Sequence, residues 1–270
     1  MVDDEETRTE GYFASLAEQP EMLRAADLNV ALQPDHLSRL KFMNFPLQAY
    51  GMLFKWDVLV NDCLEVYRKP WQAVAEQHGL PMPDDEDVMR AVGMRPERAI
   101  MQTFLWSDDW GFTQQLAFEH FEAKNNVLST LEFEPADGVV QWLETLHEYQ
   151  VPCCVCAGTA LSKPAVEVVL SKAGLSDYFD AIVTQEDGCE TTEQNYLVAC
   201  IKTRRPPERC VVFDDEPRGV IAAHDAMIKA VAVVGMHSSG ELRHADMRVS
   251  DLDDLSLMSL RDLFRDAAPI

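Results

Sequence analysis

Cys210-Val211-Val212-Phe213-Asp214-Asp215-Glu216-Pro217-Arg218-Gly219-Val220 reads as a strand that hands the chain to a helix. Its first four residues are apolar without alternation, the pattern of a strand covered on both faces inside a parallel sheet. Proline at 217 suits a first helical turn, where its missing N–H costs nothing. The helix is predicted over 217–227. Working outward, similar short apolar runs recur at 51–54, 151–156, 181–184 and 230–234. Amphipathic segments lie between them: 137–149, with Val139, Val140, Leu143 and Leu146 on one stripe, and 163–173, stopped by Gly174. This rhythm predicts an α/β fold, a doubly wound parallel Rossmann-like sheet with helices on both faces.

One interval departs from the rhythm. Residues 63–131 carry helical patterns alone, at 64–78, 85–92, 96–106 and 112–128, and read as a helical cap domain inserted after the first strand. The core is then 49–62 together with 132–270. Residues 1–48 form a polar, acidic N-terminal extension with helix-like pieces at 11–26 and 34–42.

Composition narrows the partners. Forty-six acidic residues against 23 basic ones give a formal net charge of -23. Such a surface repels nucleic acid and anionic lipid, and favours protein partners with basic surfaces. No apolar run is long enough for a transmembrane segment. The N-terminus, MVDDEETRTE, resembles neither a secretory signal peptide nor an Arg-rich transit peptide. Seven cysteines, most of them in apolar runs, read as buried reduced thiols and point to a reducing compartment, the cytoplasm or an organelle interior. Cys153 and Cys156 form a CxxC, but inside a strand their side chains alternate rather than converge on a metal. The seven histidines show no metal-ligand spacing. The aromatic patch Phe104, Trp106, Trp110 and Phe112 reads as cap core or docking surface.

Four stretches carry a resemblance. Phe54-Lys55-Trp56-Asp57-Val58-Leu59-Val60-Asn61-Asp62 resembles FDxDGxLxD, the first motif of the haloacid-dehalogenase-like hydrolases. Residues 133–152 resemble that superfamily's PGVxxxLxxLxxxGxP helix, and 174–184 its GLxxYFDxIVT segment. Residues 207–227 resemble PExCxVFEDSxxGVxAAxxAGM. The nearest branch is the phosphoglycolate phosphatase and β-phosphoglucomutase group, and the likeness spans roughly residues 50–265.

The resemblance implies a site in which this chain departs from the family. The first aspartate of the first motif is the family's nucleophile; here it is Lys55. An ammonium cannot attack phosphorus while protonated. The acid/base aspartate is kept as Asp57, and strand periodicity points residues 55 and 57 the same way. The hydroxyl of the second motif falls on Ala157, with Thr159 nearby as an imperfect substitute. The charge-balancing lysine of the third motif falls in Gly188-Cys189-Glu190-Thr191-Thr192-Glu193-Gln194-Asn195, which contains no lysine. Asp214 and Asp215 keep the acids that the family uses for Mg²⁺.

Together these imply a vestigial metal site and no cofactor, with the Lys55 ammonium standing where the cation would be, paired with Asp214 or Asp215 and with Asp57. Such a pair at about 4 Å is worth about 4 kcal/mol at an effective dielectric near 20, before desolvation. The expectation is a pseudoenzyme, a catalytically degenerate protein acting as a non-catalytic binding or structural subunit of a larger assembly. Two alternatives stand beside it. One is an active Mg²⁺-dependent phosphatase or phosphomutase acting on a small phosphorylated metabolite. The other is a sensor that binds such a metabolite between core and cap without turnover.

Overall fold

In the computed structural model, which describes residues 23–61, 63–158 and 160–265, the strands form one parallel sheet. Gly51–Lys55 (β1) lies at its centre, between Cys153–Cys156 (β2) and Cys210–Asp214 (β4). Ala181–Val183 (β3) flanks β2; Lys229–Val233 (β5) and Met247–Val249 (β6) extend the other side, giving the order β3-β2-β1-β4-β5-β6. β6 is absent from the sequence expectation. It is an edge strand of three residues with an exposed Arg248 at its centre, so it leaves no apolar run to read.

Successive strand residues enter opposite layers, which explains the unbroken apolar runs. Met52, Phe54, Cys153, Val155, Val211 and Phe213 share one core layer; Leu53, Cys154, Cys156 and Val212 belong to the other. Cys153 and Cys156 therefore face opposite sides of the sheet. The first layer is covered by Val139–Glu148 (α7) and Lys163–Lys172 (α8), the second by Thr192–Thr203 (α9) and Pro217–Asp225 (α10). A short helix, Leu257–Leu263 (α11), closes the described chain.

Part of the extension belongs to the core. Ala25–Ala31 (α1) inserts Leu28 into the second layer beside Leu23 and Leu32, and the Asn29 side chain accepts from the Glu208 backbone N–H at 2.9 Å. His36–Asn44 (α2) touches the body through Phe42, which lies under the Arg205 guanidinium, 5.2 Å from the ring centre. The helix predicted at 11–26 falls mostly outside the described residues.

Between β1 and α7 come Cys63–His78 (α3), Asp85–Ala91 (α4), Pro96–Gln102 (α5) and Trp110–Thr130 (α6). α3 and α6 pack together through Trp71, which stacks on His120 at 3.7 Å between ring centres and meets Phe104 and Trp106. The aromatic patch thus divides. Phe104 is buried, Trp106 is half-buried against it, Phe112 is half-buried against His78, and Trp110 stands 61% exposed. Two lysines tie this helical layer to the sheet. Lys172 of α8 donates to the carbonyls of Ser129 (2.7 Å) and Leu131 (2.5 Å) at the end of α6, and Lys124 of α6 donates to the Ala160 carbonyl at 2.8 Å. No helix among the described residues is long and apolar enough to cross a membrane.

Candidate functional site

Parallel pairing of β1 with β4 sets their carboxyl ends side by side, and both ends are polar. β1 stops at Lys55, and the next three residues, Trp56–Val58, form a 3₁₀ turn. Strand alternation is therefore not what pairs residues 55 and 57. The turn curls the Asp57 carboxylate back onto the lysine, with Oδ2 2.9 Å from Nζ. From the end of β4 and the turn after it, Asp215 Oδ1 lies 2.7 Å from the same Nζ, and Asp214 Oδ1 and Glu216 Oε2 each lie 3.8 Å away. One ammonium is thus held among four carboxyl groups. The lysine side chain is 14% exposed, and those of Asp57 and Asp214 are 0% and 1%.

Neighbours fix the acids in place. The Tyr67 hydroxyl, from α3, donates to Asp57 Oδ2 at 2.6 Å, and the Tyr196 hydroxyl, from α9, donates to Asp214 Oδ2. The Glu216 backbone N–H donates to Asp214 Oδ1 at 2.8 Å, so the start of α10 turns toward the carboxylate. Gly219, one turn into α10, passes so close that a Cβ there would overlap the Asp214 carboxylate.

Burial and charge compete at each group. Burial alone would lower the Lys55 pKa, but the carboxylates of Asp57, Asp215 and Asp214 outweigh it and hold the ammonium well above the lysine range. Burial raises Asp57 and Asp214 despite the pull of Lys55. It pushes Glu216 up to about 7. The Lys124 amine, 5.4 Å from the Tyr67 ring centre, is pushed down to about 8 by burial, with Asp57 opposing the fall.

The remaining predicted positions lie around this cluster. Ala157 is buried just past β2, and its backbone N–H donates to the Val183 carbonyl at 2.8 Å; its methyl offers no hydroxyl. Thr159 lies outside the described residues. Glu190 is exposed and pairs across to Arg95 at the start of α5, 3.7 Å away.

A family model described as haloacid dehalogenase-like hydrolase matches residues 52–233. The chain belongs to this family. Among curated relatives of this haloacid dehalogenase-like chain is 5-amino-6-(5-phospho-D-ribitylamino)uracil phosphatase, chloroplastic, of Arabidopsis thaliana. It is 27% identical over 79% of this chain, and the match spans only 57% of the relative's length. Validoxylamine A 7'-phosphate phosphatase of Streptomyces hygroscopicus subsp. limoneus is 26% identical over 75% of this chain and 94% of its own. Among solved structures, β-phosphoglucomutase of Clostridium difficile superposes with a TM-score of 0.68 at 16% identity, covering 80% of this chain and 97% of that one. That likeness establishes the fold: a haloacid dehalogenase-like sheet with an inserted helical layer.

The family implies Mg²⁺, which takes near-octahedral oxygen ligands at about 2.0–2.1 Å. The residues of this chain do not fit it. Where the acids converge they already surround an ammonium, and Asp214 Oδ2 is engaged by Tyr196. A dication set among these oxygens would also face the fixed charge of Lys55. Among the described residues, no group of three or more His, Cys, Asp or Glu side chains is arranged to hold a metal ion.

Sequence reasoning missed Glu216, Tyr67, Tyr196 and Lys124. Glu216 carried a signal, being a third consecutive acid after a strand end. The tyrosines carried none, since a buried aromatic on a helix looks the same whether or not its hydroxyl orients a carboxylate.

Proposed function

We propose that this haloacid dehalogenase-like chain performs no phosphoryl transfer and acts as a non-catalytic binding or structural protein built on a phosphatase scaffold. The observation behind this reading is the Lys55 ammonium, 2.7 Å from Asp215 and 2.9 Å from Asp57. Those carboxylates keep the proton on nitrogen, so the lone pair needed for attack is engaged. Asp57, at the family's acid/base position, has its Oδ2 bound by both Tyr67 and Lys55 and its Oδ1 buried without a hydrogen-bond partner. The absent hydroxyl at Ala157 and the lack of a lysine in residues 188–195 leave the site without two groups that would hold a phosphate dianion. Groups that act as a unit in catalysis fail together when several are lost.

The test is hydrolysis of an aryl phosphate with Mg²⁺ by the wild type and by Lys55→Asp. The expected result is no turnover above background in the wild type. Lys55→Asp should gain Mg²⁺ binding, detectable by calorimetry, yet remain slow because Ala157 still offers no hydroxyl and residues 188–195 still contain no lysine. Wild-type turnover that depends on Mg²⁺ and accumulates a phosphoenzyme would sink the proposal.

A second reading is a Mg²⁺-dependent phosphatase or phosphomutase acting on a small phosphorylated metabolite. It is supported by the relatives from Arabidopsis thaliana and Streptomyces hygroscopicus, both named as phosphatases. It predicts turnover in the first arm of the same assay.

A further inference from the structure

Two exposed apolar faces of opposite charge lie at opposite ends of the molecule. The first is on α2. Leu37, Leu40 and Met43, followed by Phe45, are 73%, 47%, 68% and 57% exposed. Spacings of three residues set the helical ones along one ridge. Between Asp35 and Asp57 the sequence contains no acidic residue, while Arg39 and Lys41 are exposed on this helix. In a chain of net charge -23, α2 is therefore a basic, apolar island.

The second face is on α6. Trp110, Phe118 and Phe121 are 61%, 60% and 44% exposed, and their spacings of eight and three place them on one side of the helix. Leu105, in the preceding loop, is 76% exposed and held at a positive φ of 52°, a conformation that a leucine rarely adopts. Asp108, Asp109 and Glu122 are exposed around this ridge. Large aromatic side chains inside a charged rim are the composition of a protein-binding hot spot.

α2 packs at the amino end of β1, against Arg205, whereas α6 belongs to the layer inserted after the carboxyl end of that strand. One copy cannot bring its own two faces together. We propose that α2 of one copy docks on the α6 face of a second copy, its apolar ridge against Trp110, Phe118 and Phe121 and its Arg39 and Lys41 against the acidic rim. A basic amphipathic helix also suits a membrane surface, but a molecule this acidic is repelled by anionic lipid. The same chain supplies the matching acidic aromatic surface, so the second copy is the favoured occupant. The contact is head-to-tail, and it extends copy by copy or closes into a ring.

The full chain is measured by sedimentation over rising concentration, alongside Leu40→Glu and Phe118→Glu. Both positions are exposed, and unchanged circular dichroism verifies that each variant folds. The wild type should associate, more weakly as salt is raised. Each variant alone should lose at least about tenfold in association, the scale of one hot-spot side chain. Mixed together, they should form a 1:1 pair and nothing larger, since Leu40→Glu keeps a sound α6 face and Phe118→Glu a sound α2. A wild type that stays monomeric at every concentration overturns the proposal. So does a mixture that fails to pair, or one that grows past two chains.

Discussion

Replacing Lys55 by methionine keeps the length of the side chain and removes its charge, leaving four carboxyl groups around an uncharged tip. At the observed 2.7 and 2.9 Å, each of the two close contacts is worth about 6 kcal/mol at an effective dielectric of 20, before desolvation. Much of that is offset by the cost of taking the ions out of water, and breaking a buried pair from one side typically costs about 3–5 kcal/mol. For a chain of this size, that corresponds to a fall of roughly 10 °C in Tm.

The sign with pH follows from the carboxylates. Asp57, Asp214 and Glu216 already have raised values, and losing the ammonium raises them further. A raised value means that the folded state holds its proton more tightly, so stability is lost as pH rises. Both proteins unfold to the same acids, so the deficit of Lys55→Met should grow as pH rises through the raised folded-state values, that of Glu216 at about 7, and shrink below them. Chemical denaturation of both proteins across pH 4–8 measures it. A deficit under about 1 kcal/mol that does not change with pH would show that the ammonium does not hold this cluster together.

Glu216→Gln should flatten the wild type's own pH dependence. The Glu216 carboxyl sits at about 7, above its ordinary 4.5, so its contribution is full below 4.5 and is lost as pH rises to 7. The loss amounts to about 3 kcal/mol across that window, and denaturation midpoints should show the glutamine variant more stable at pH 8 and losing less stability than the wild type between pH 5 and 8. Gly219→Ala should destabilise by about 1–3 kcal/mol, because its methyl would occupy space held by the Asp214 carboxylate. A urea midpoint equal to the wild type's would contradict the close packing of α10 on that acid.

The central sheet was legible because its strands are buried on both faces, leaving runs such as Cys210–Phe213 that no amphipathic helix would produce. The same logic hid α9. From Gln194 to Ile201 every residue is buried, so the helix shows no polar side and no stripe of period 3.6. β6 was hidden by its short length and its exposed arginine. At the site, Lys55, Asp57, Asp214 and Asp215 could be placed together from motif order alone, but the reason for the first pair was misjudged. A 3₁₀ turn, not strand alternation, joins Lys55 to Asp57. The hydroxyl partners Tyr67 and Tyr196 come from helices far along the chain, and only tertiary packing brings them to the acids.

A positive centre that is part of the polypeptide has a property that no exchangeable ion shares: it cannot dissociate. Where acids are neutralised by a bound cation, occupancy follows mass action, and the stability of the fold drifts with the supply of that cation. Here the neutralising group is synthesised with the chain at one equivalent per molecule, so neither chelators nor swings in divalent-ion concentration can remove it. The acid cluster stays neutralised whatever the supply of divalent ions.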